Sequence, residues 1–140
     1  MTTVPLLDTH AWIWWLSGDD KLGRGNLKAL GRFSRDTRPA ISAISLWEAA
    51  TLESLNRLEL KTTFDAWLAI AADPGTVRVI PITPHIAAEV ARLPDTFQRD
   101  PADRLIVATS RVHGIPVLTC DQAMARSGLV RLWLGGRLSG

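Results

Sequence analysis

Carboxylates follow several of the short apolar segments in this sequence. Asp8 ends the first segment, residues 4–8, and Asp121 follows the segment at residues 115–119. Glu48 comes shortly after a third segment. Carboxylate oxygens are ligands that suit Mg²⁺ and Mn²⁺, and several carboxylates in one pocket repel each other unless a cation neutralises them. If the fold brings these side chains together, their chemistry is that of a divalent-metal site.

Strands and helices are predicted to alternate along the whole chain. Apolar residues at helical spacing, bounded by Pro, Gly and capping residues, predict helices between the short apolar runs. This order favours an α/β fold, a three-layer sandwich with a five-stranded and mostly parallel sheet. With no repeat or linker, residues 1–140 are expected to form one domain. The five predicted strands are residues 4–8, 38–45, 77–82, 115–119 and 130–134.

The order of these elements predicts where the carboxylates meet. Ligands of open parallel sheets bind outside the carboxyl ends of the strands. Asp8, Glu48 and Asp121 follow the first, second and fourth strands, so connectivity alone brings them to that edge. Asp100 and Asp103 flank the start of the helix before the fourth strand, and they join the group if that helix begins at the same edge.

Each acid also has a purely structural interpretation. Asp and Glu are favoured at helix N-termini, where they accept hydrogen bonds from free N–H groups and face the positive end of the helix dipole. Ser45 and Glu48 have the spacing of a capping box. Four carboxylates gathered in one pocket would repel each other without a cation, however, so the whole set favours a metal site. No His or Cys cluster at zinc spacing competes with this interpretation.

The charge balance indicates a polyanionic partner. The chain has 16 basic and 14 acidic residues, a net charge of +2. Setting aside Asp8, Glu48, Asp103 and Asp121 leaves 10 acids and a balance of +6. A basic shell around an acidic, metal-loaded pocket suits a nucleic acid. The alternative is an ordinary solvated helix face, and the most basic stretch contains Arg24, Lys28, Arg32, Arg35 and Arg38.

Other features limit the class of protein. A single cysteine, Cys120, excludes an intramolecular disulfide and fits a reducing compartment. No apolar run is long enough to span a bilayer, and the first residues lack the pattern of a secretory signal. We therefore expect a cytoplasmic protein with no membrane partner.

The ordered set of motifs over the whole length resembles that of the PIN-domain ribonucleases, in particular the VapC toxins of bacterial type II toxin–antitoxin systems. No single motif is specific, and the ordered set carries the resemblance. It implies a PIN fold, Mg²⁺- or Mn²⁺-dependent endoribonuclease activity, homodimerisation and neutralisation by a VapB-type antitoxin. The motifs are Asp8-Thr9-His10, Glu48, Asp100-Pro101-Ala102-Asp103-Arg104 and Thr119-Cys120-Asp121.

The resemblance also implies roles for the acids. Asp8 is expected to be the first metal ligand, Glu48 the second acid, Asp103 the third and Asp121 the fourth. The expected catalytic set is Asp8, Glu48, Asp103 and Asp121. The expected metal ligands are Asp8, Asp100, Asp103 and Asp121, and the ranking of Asp100 against Asp103 stays open.

Two neighbours of Asp8 are expected to position the substrate. By resemblance, Thr9 is the small hydroxyl residue that orients Asp8, and His10 could touch the RNA. Related proteins often carry His where this chain has Gln98. In the implied reaction, a water activated by the metal attacks a phosphodiester, with Glu48 or Asp121 available to orient that water.

Alternative functions are less well supported by the sequence. An aspartyl phosphotransferase needs a second Asp two residues after the first, and position 10 is His. A dinucleotide-binding module needs the motif G-x-G-x-x-G after the first strand, which is absent. A non-catalytic metal-binding interaction module of the same fold remains the main alternative.

Overall fold

A computed structural model describes residues 4–133 of the chain. Strands and helices alternate in this part, with 3-10 turns at Asp20–Leu22 and Arg35–Thr37. No helix among the described residues is both long and apolar enough to cross a bilayer. The strands are β1 (Leu6–Leu7), β2 (Ala40–Ser42), β3 (Arg78–Ile80) and β4 (Val117–Leu118). The helices are α1 (Thr9–Ser17), α2 (Arg24–Leu30), α3 (Ala43–Ser54), α4 (Phe64–Ala71), α5 (Pro84–Arg92), α6 (Pro101–His113) and α7 (Gln122–Arg126).

The strands form one sheet in the order β3-β2-β1-β4, and all neighbours are parallel. Leu6 pairs with Ala40 on one side and with Val117 on the other, so β1 lies inside the sheet. The α/β fold with a parallel sheet that the alternating pattern predicted is confirmed. Because β1 is adjacent to both β2 and β4, the residues that follow these three strands are brought side by side.

The predicted fifth strand at residues 130–134 is reduced, within the described residues, to a single bridge. Leu132 pairs in parallel with Val117. Main-chain hydrogen bonds of 2.8 and 2.9 Å join Val117 to Arg131 and Trp133. β4 is only two residues long, so it offers little room for a longer ladder. The sheet of residues 4–133 therefore has four strands where five were predicted, and residue 134 lies outside the described part.

Side-chain alternation along the short strands separates two cores. Leu7 belongs to a core that includes Trp12 and Trp67, whereas its neighbour Leu6 belongs to a core that includes Ile86 and Ile106. Adjacent residues of a strand point to opposite faces of the sheet. Helices α1, α2 and α4 therefore cover one face, and α5, α6 and α7 cover the other, which gives three layers around one buried sheet.

Candidate functional site

Asp8 stands where β1 ends and α1 begins. Its Oδ1 accepts the backbone N–H of Ala11 at 2.8 Å, which caps the helix. Its Oδ2 accepts the hydroxyl of Thr119, which follows β4. Burial raises the pKa of the Asp8 carboxyl, since only 6% of the residue is exposed, while the hydrogen bonds from Thr119 and Ala11 act in the opposite direction. The structure therefore places a buried carboxylate at the carboxyl edge of the sheet.

Thr119, and not Thr9, makes the hydrogen bond to the Asp8 carboxylate. The Thr9 hydroxyl lies 2.8 Å from that of Ser45, and Thr9 is only 2% exposed. The Thr9 hydroxyl forms a buried bond between α1 and α3, so the observed hydroxyl partner of Asp8 is Thr119. Thr9 does line the cleft, and its role towards the substrate stays a prediction. Thr119 could have been recognised from the sequence only with the strand order known, since it follows β4 and bonds to the end of β1.

Asp121 joins the same group from the start of α7. Its Oδ1 accepts the N–H of Met124 at 3.1 Å, so it is the helix cap. The N–H of Asp121 donates to the Thr119 hydroxyl at 2.9 Å, and that hydroxyl donates to Asp8. A single threonine side chain therefore connects the two acids that follow β1 and β4.

Helix α6 begins at this edge of the sheet, as the metal interpretation required. Asp100 is its exposed cap and accepts the N–H of Asp103 at 3.0 Å. Asp103 lies in the first turn and is half-buried. Burial raises the pKa of Asp103 to about 7, and the negative charges of Asp100, Asp121 and Glu48 add to that rise. The carboxylates are thus close enough to disfavour each other's charge.

Gln98 is a contact that the sequence did not single out as part of the acid group. Its Nε2 donates to Asp103 Oδ2 at 2.6 Å and to Asp121 Oδ2 at 3.2 Å. This amide lowers the pKa of Asp103 and so partly opposes the effect of burial. The only sequence signal was its position two residues before Asp100, where the resemblance had led us to expect His.

Glu48 reaches the group from the middle of α3. The predicted capping box at Ser45 and Glu48 is wrong, because α3 starts at Ala43 and is capped by Ser42, whose hydroxyl accepts the N–H of Ile44 at 3.2 Å. Glu48 therefore has no capping duty. It is half-buried and its carboxylate is near enough to Asp103 to affect that pKa.

The carboxylates of Asp8, Glu48, Asp103 and Asp121 line one cleft of about 380 Å³. Asp100 is absent from its lining, which separates Asp100 from Asp103 by position. The exposed His10 stands at the cleft with its ring centroid 5.5 Å from that of Trp14. Burial raises the pKa of the Cys120 thiol, which disfavours a thiolate there. The described lining contains no Lys or Arg and consists of Asp8, Thr9, His10, Trp14, Glu48, Asp103, Cys120, Asp121 and Gln122.

The donor chemistry of the cleft fits a hard divalent cation. Four carboxylates line it, and burial is the main cause of the raised pKa values of Asp8 and Asp103. Neighbouring carboxylates add to the rise at Asp103, and Asp121 adds to it at Asp8, where His10 acts in the opposite direction. As positioned, no three His, Cys, Asp or Glu side chains of residues 4–133 form a ready ligand group. Binding of an ion would therefore require small shifts of side chains, among them Gln98, which occupies the space between two of the acids.

Comparisons with known proteins identify relatives of the chain. The family model of the PIN domain matches residues 6–128. Ribonuclease VapC22 of Mycobacterium tuberculosis (strain ATCC 25618 / H37Rv) is 38% identical over 124 residues, which cover 89% of this chain and 91% of that protein. A chain of a solved toxin-antitoxin complex from Klebsiella pneumoniae superposes with a TM-score of 0.61 at 20% identity, covering 96% of this chain and 99% of that chain. The last likeness shows the fold alone.

Proposed function

Because the chain belongs to the PIN-domain family, we propose that it is a metal-dependent endoribonuclease that acts as the toxin of a VapC-type toxin–antitoxin pair. One observation carries the proposal. Four carboxylates line a single cleft at the carboxyl edge of the sheet: Asp8 and Asp121, which cap α1 and α7, and Glu48 and Asp103, which lie in α3 and α6. The curated relative that shares 38% identity is a ribonuclease by name.

We assign the binding of Mg²⁺ or Mn²⁺ to Asp8, Asp103 and Asp121. Asp100 is a weaker candidate ligand, because it caps α6 and does not line the cleft. When bound, the cation supplies positive charge that makes a water more acidic and stabilises the charge that develops on the attacked phosphate. The carboxylates of the chain would hold the cation at the cleft.

The remaining residues of the cleft act on water and substrate. Glu48 does not cap its helix, and its carboxylate is near enough to Asp103 to affect that pKa. It is therefore suited to orient the attacking water or to accept a proton from it. Asp121 is the alternative for this role, although one of its oxygens caps α7. His10 is exposed at the cleft and is suited to contact an RNA phosphate or base.

The charge distribution supports an RNA substrate. The basic residues of the chain lie outside the described lining of the cleft, so attraction for the backbone comes from the surrounding surface. Arg24, Lys28, Arg32 and Arg35 are exposed in and after α2. In this proposal these side chains attract a polyanion, of which one phosphodiester enters the acidic cleft.

The proposed partners follow from family membership. A VapB-type antitoxin would neutralise the protein by covering the cleft, and Trp47, which is 58% exposed and next to Glu48, offers apolar surface for such a chain. We also propose a homodimer, which light scattering can test, and a cytoplasmic location with access to cellular RNA.

The decisive experiment is cleavage of total RNA by the purified chain with Mn²⁺, with Mg²⁺ and with chelator. Asp103→Asn and Asp8→Asn should abolish the cleavage, because each removes a charge that holds the cation. Asp65→Asn is the matched control, since Asp65 also lies in the first turn of a helix, α4, but is exposed and does not line the cleft. It should cleave like the unchanged chain.

Two results would contradict the nuclease. Cleavage that persists in chelator, or that the Asp8 and Asp103 variants retain, would show that the acids are not the catalytic centre. If the chain binds Mn²⁺ through these acids but cuts no RNA, a metal-binding interaction module of the same fold becomes the better description.

A further inference from the structure

Gln98 holds an unusual position between two acids from different helices. Its Nε2 is within hydrogen-bond distance of Asp103 Oδ2, on α6, and of Asp121 Oδ2, at the start of α7, at 2.6 and 3.2 Å. Both N–H groups of an amide carry partial positive charge, and a donor between two carboxylates reduces their repulsion. A cation that bridges the same two oxygens would need the space that this nitrogen occupies.

The backbone that carries Gln98 is fixed by a guanidinium group. Arg104 donates from Nη1 to the carbonyls of Phe97 and Gln98 at 3.3 Å, and to that of Pro94 at 3.5 Å. Its Nη2 donates to the carbonyl of Leu93 at 3.3 Å. Since Arg104 is the neighbour of Asp103 on α6, the segment 93–98 is attached to the same helix as the acid that Gln98 contacts.

A second cavity lies next to the side chain of Gln98. Its volume is about 350 Å³, and it is lined by Gln98 together with Phe97, Ala123 and Leu129. If the amide leaves the acids, this cavity offers it space beside the segment, and the bonds from Arg104 hold the backbone. We use the word latch for a side chain that fills the space between the two acids in one position and leaves it free in another. Such a latch needs a fixed backbone and space for both positions of the side chain.

We propose that Gln98 is a positioning residue that holds Asp103 and Asp121 together when no cation is bound and competes with the cation for the space between them. The inference rests on the proposed function, because it concerns the same cleft. Without the ion, the amide offsets part of the repulsion between the acids. When the ion binds, the amide must move away, so part of the binding free energy is spent on breaking its two hydrogen bonds.

The test is the affinity for Mn²⁺, measured by calorimetric titration of the RNA-free protein. Hydrogen bonds to charged groups are strong enough that losing one changes an equilibrium constant by about tenfold. Gln98→Ala should therefore bind Mn²⁺ about tenfold more tightly than the unchanged chain. Gln98→Glu, which adds a carboxylate and cannot donate, should also bind more tightly.

A second measurement separates competition from damage to the fold. Without metal, Gln98→Ala should melt at a lower temperature, because the acids lose the amide between them, and saturating Mn²⁺ should remove most of this difference. Thr62→Ala is the control, because Thr62 is exposed in the loop before α4 and lines neither of the two cavities described above. It should change neither the affinity nor the metal-free melting temperature.

The outcomes distinguish this inference from the proposed function. If Asp103→Asn leaves Mn²⁺ binding unchanged, the metal site itself is wrong. If Asp103→Asn abolishes binding but Gln98→Ala binds Mn²⁺ equally or less tightly, the metal site stands and the latch is overturned. Weaker binding by Gln98→Ala would make the glutamine a supporting group of the ion instead of its competitor.

Discussion

Asp103→Asn should stabilise the metal-free protein at alkaline pH, although it removes a residue proposed for catalysis. Burial and the neighbouring carboxylates raise the pKa of Asp103 from 3.8 to about 7, so keeping the group ionised above pH 7 costs folding free energy. Asparagine has nearly the same shape, keeps an oxygen that can accept from Gln98, and carries no charge. The substitution therefore removes the repulsion and preserves the contact.

The expected gain in the free energy of unfolding follows from the shift in the pKa of Asp103. A rise of about three pKa units corresponds to about 4 kcal/mol at 1.36 kcal/mol per unit. Asp103 is only half-buried, so solvent screening reduces this figure, and its place in the first turn of α6 favours the charged form by about 0.3–1 kcal/mol. We expect a net gain of about 1–2 kcal/mol, or a rise of about 3–8 °C in melting temperature for a domain of this size.

The direction in which stability changes with pH follows from the direction of the pKa shift. The folded-state pKa is raised, so the unchanged chain loses stability as pH rises through about 7, and the penalty is absent below about 3.8. The advantage of Asp103→Asn should thus be complete at pH 8 and shrink steadily towards pH 4. Thermal melts in chelator at pH 8, 6.5 and 5 measure it, with Asp65→Asn as the control that should show no such gain.

Added Mn²⁺ should reverse the order of stability. A ligand at 100 times its dissociation constant stabilises the folded state by about 2.7 kcal/mol, and only the unchanged chain should receive this benefit. The reasoning would be refuted if Asp103→Asn melted lower than the unchanged chain in chelator at pH 8. A gain that did not depend on pH would also refute it, because the repulsion would then not be its source.

Three further substitutions test the scaffold of the cleft. Trp12→Phe should lower the free energy of unfolding by about 2–4 kcal/mol in urea titrations, because Trp12 is fully buried and its indole N–H donates at 2.9 Å to a main-chain carbonyl at the end of α4. Thr119→Val should raise the pKa of Asp8 further and move the onset of Mn²⁺ binding to higher pH, whereas Thr119→Ser should not. Arg104→Met should speed hydrogen exchange across residues 93–98, and unchanged exchange there would show that the guanidinium does not fix the segment.

Most of the fold could be predicted from local patterns. Alternating apolar runs predicted all four strands of the described sheet near their observed positions, and the acids at the ends of three of them predicted the cleft. The fifth predicted strand, residues 130–134, is only a single bridge in the described residues. The length of a strand depends on its neighbour, and β4 provides only two residues for pairing.

The errors at the site have one physical origin, which is dependence on contacts distant in sequence. Ser42 and Ser45 both fit the local rules for a cap; Ser42 caps α3, whereas the Ser45 hydroxyl is bonded to that of Thr9, 36 residues away. The bond of Thr119 to Asp8 spans 111 residues and exists only because β1 and β4 are neighbours. No periodicity within a window of the sequence contains that information.

Capping a helix and binding a metal, which the sequence presented as alternatives for each acid, are compatible in this fold because a carboxylate has two oxygens. Asp8 and Asp121 each use Oδ1 to accept a helix N–H, and the Oδ2 atoms accept from the side chains of Thr119 and Gln98, respectively. The cap fixes the rotamer, and the fixed rotamer aims the second oxygen. Asparagine caps a helix as well as aspartate does but brings no charge. Asp→Asn at these two positions should therefore leave the helix starts intact and remove the charge that attracts a cation, while the amide nitrogen replaces the oxygen that accepts from Thr119 or Gln98. A loss of metal binding without a loss of fold would separate the two roles of one side chain.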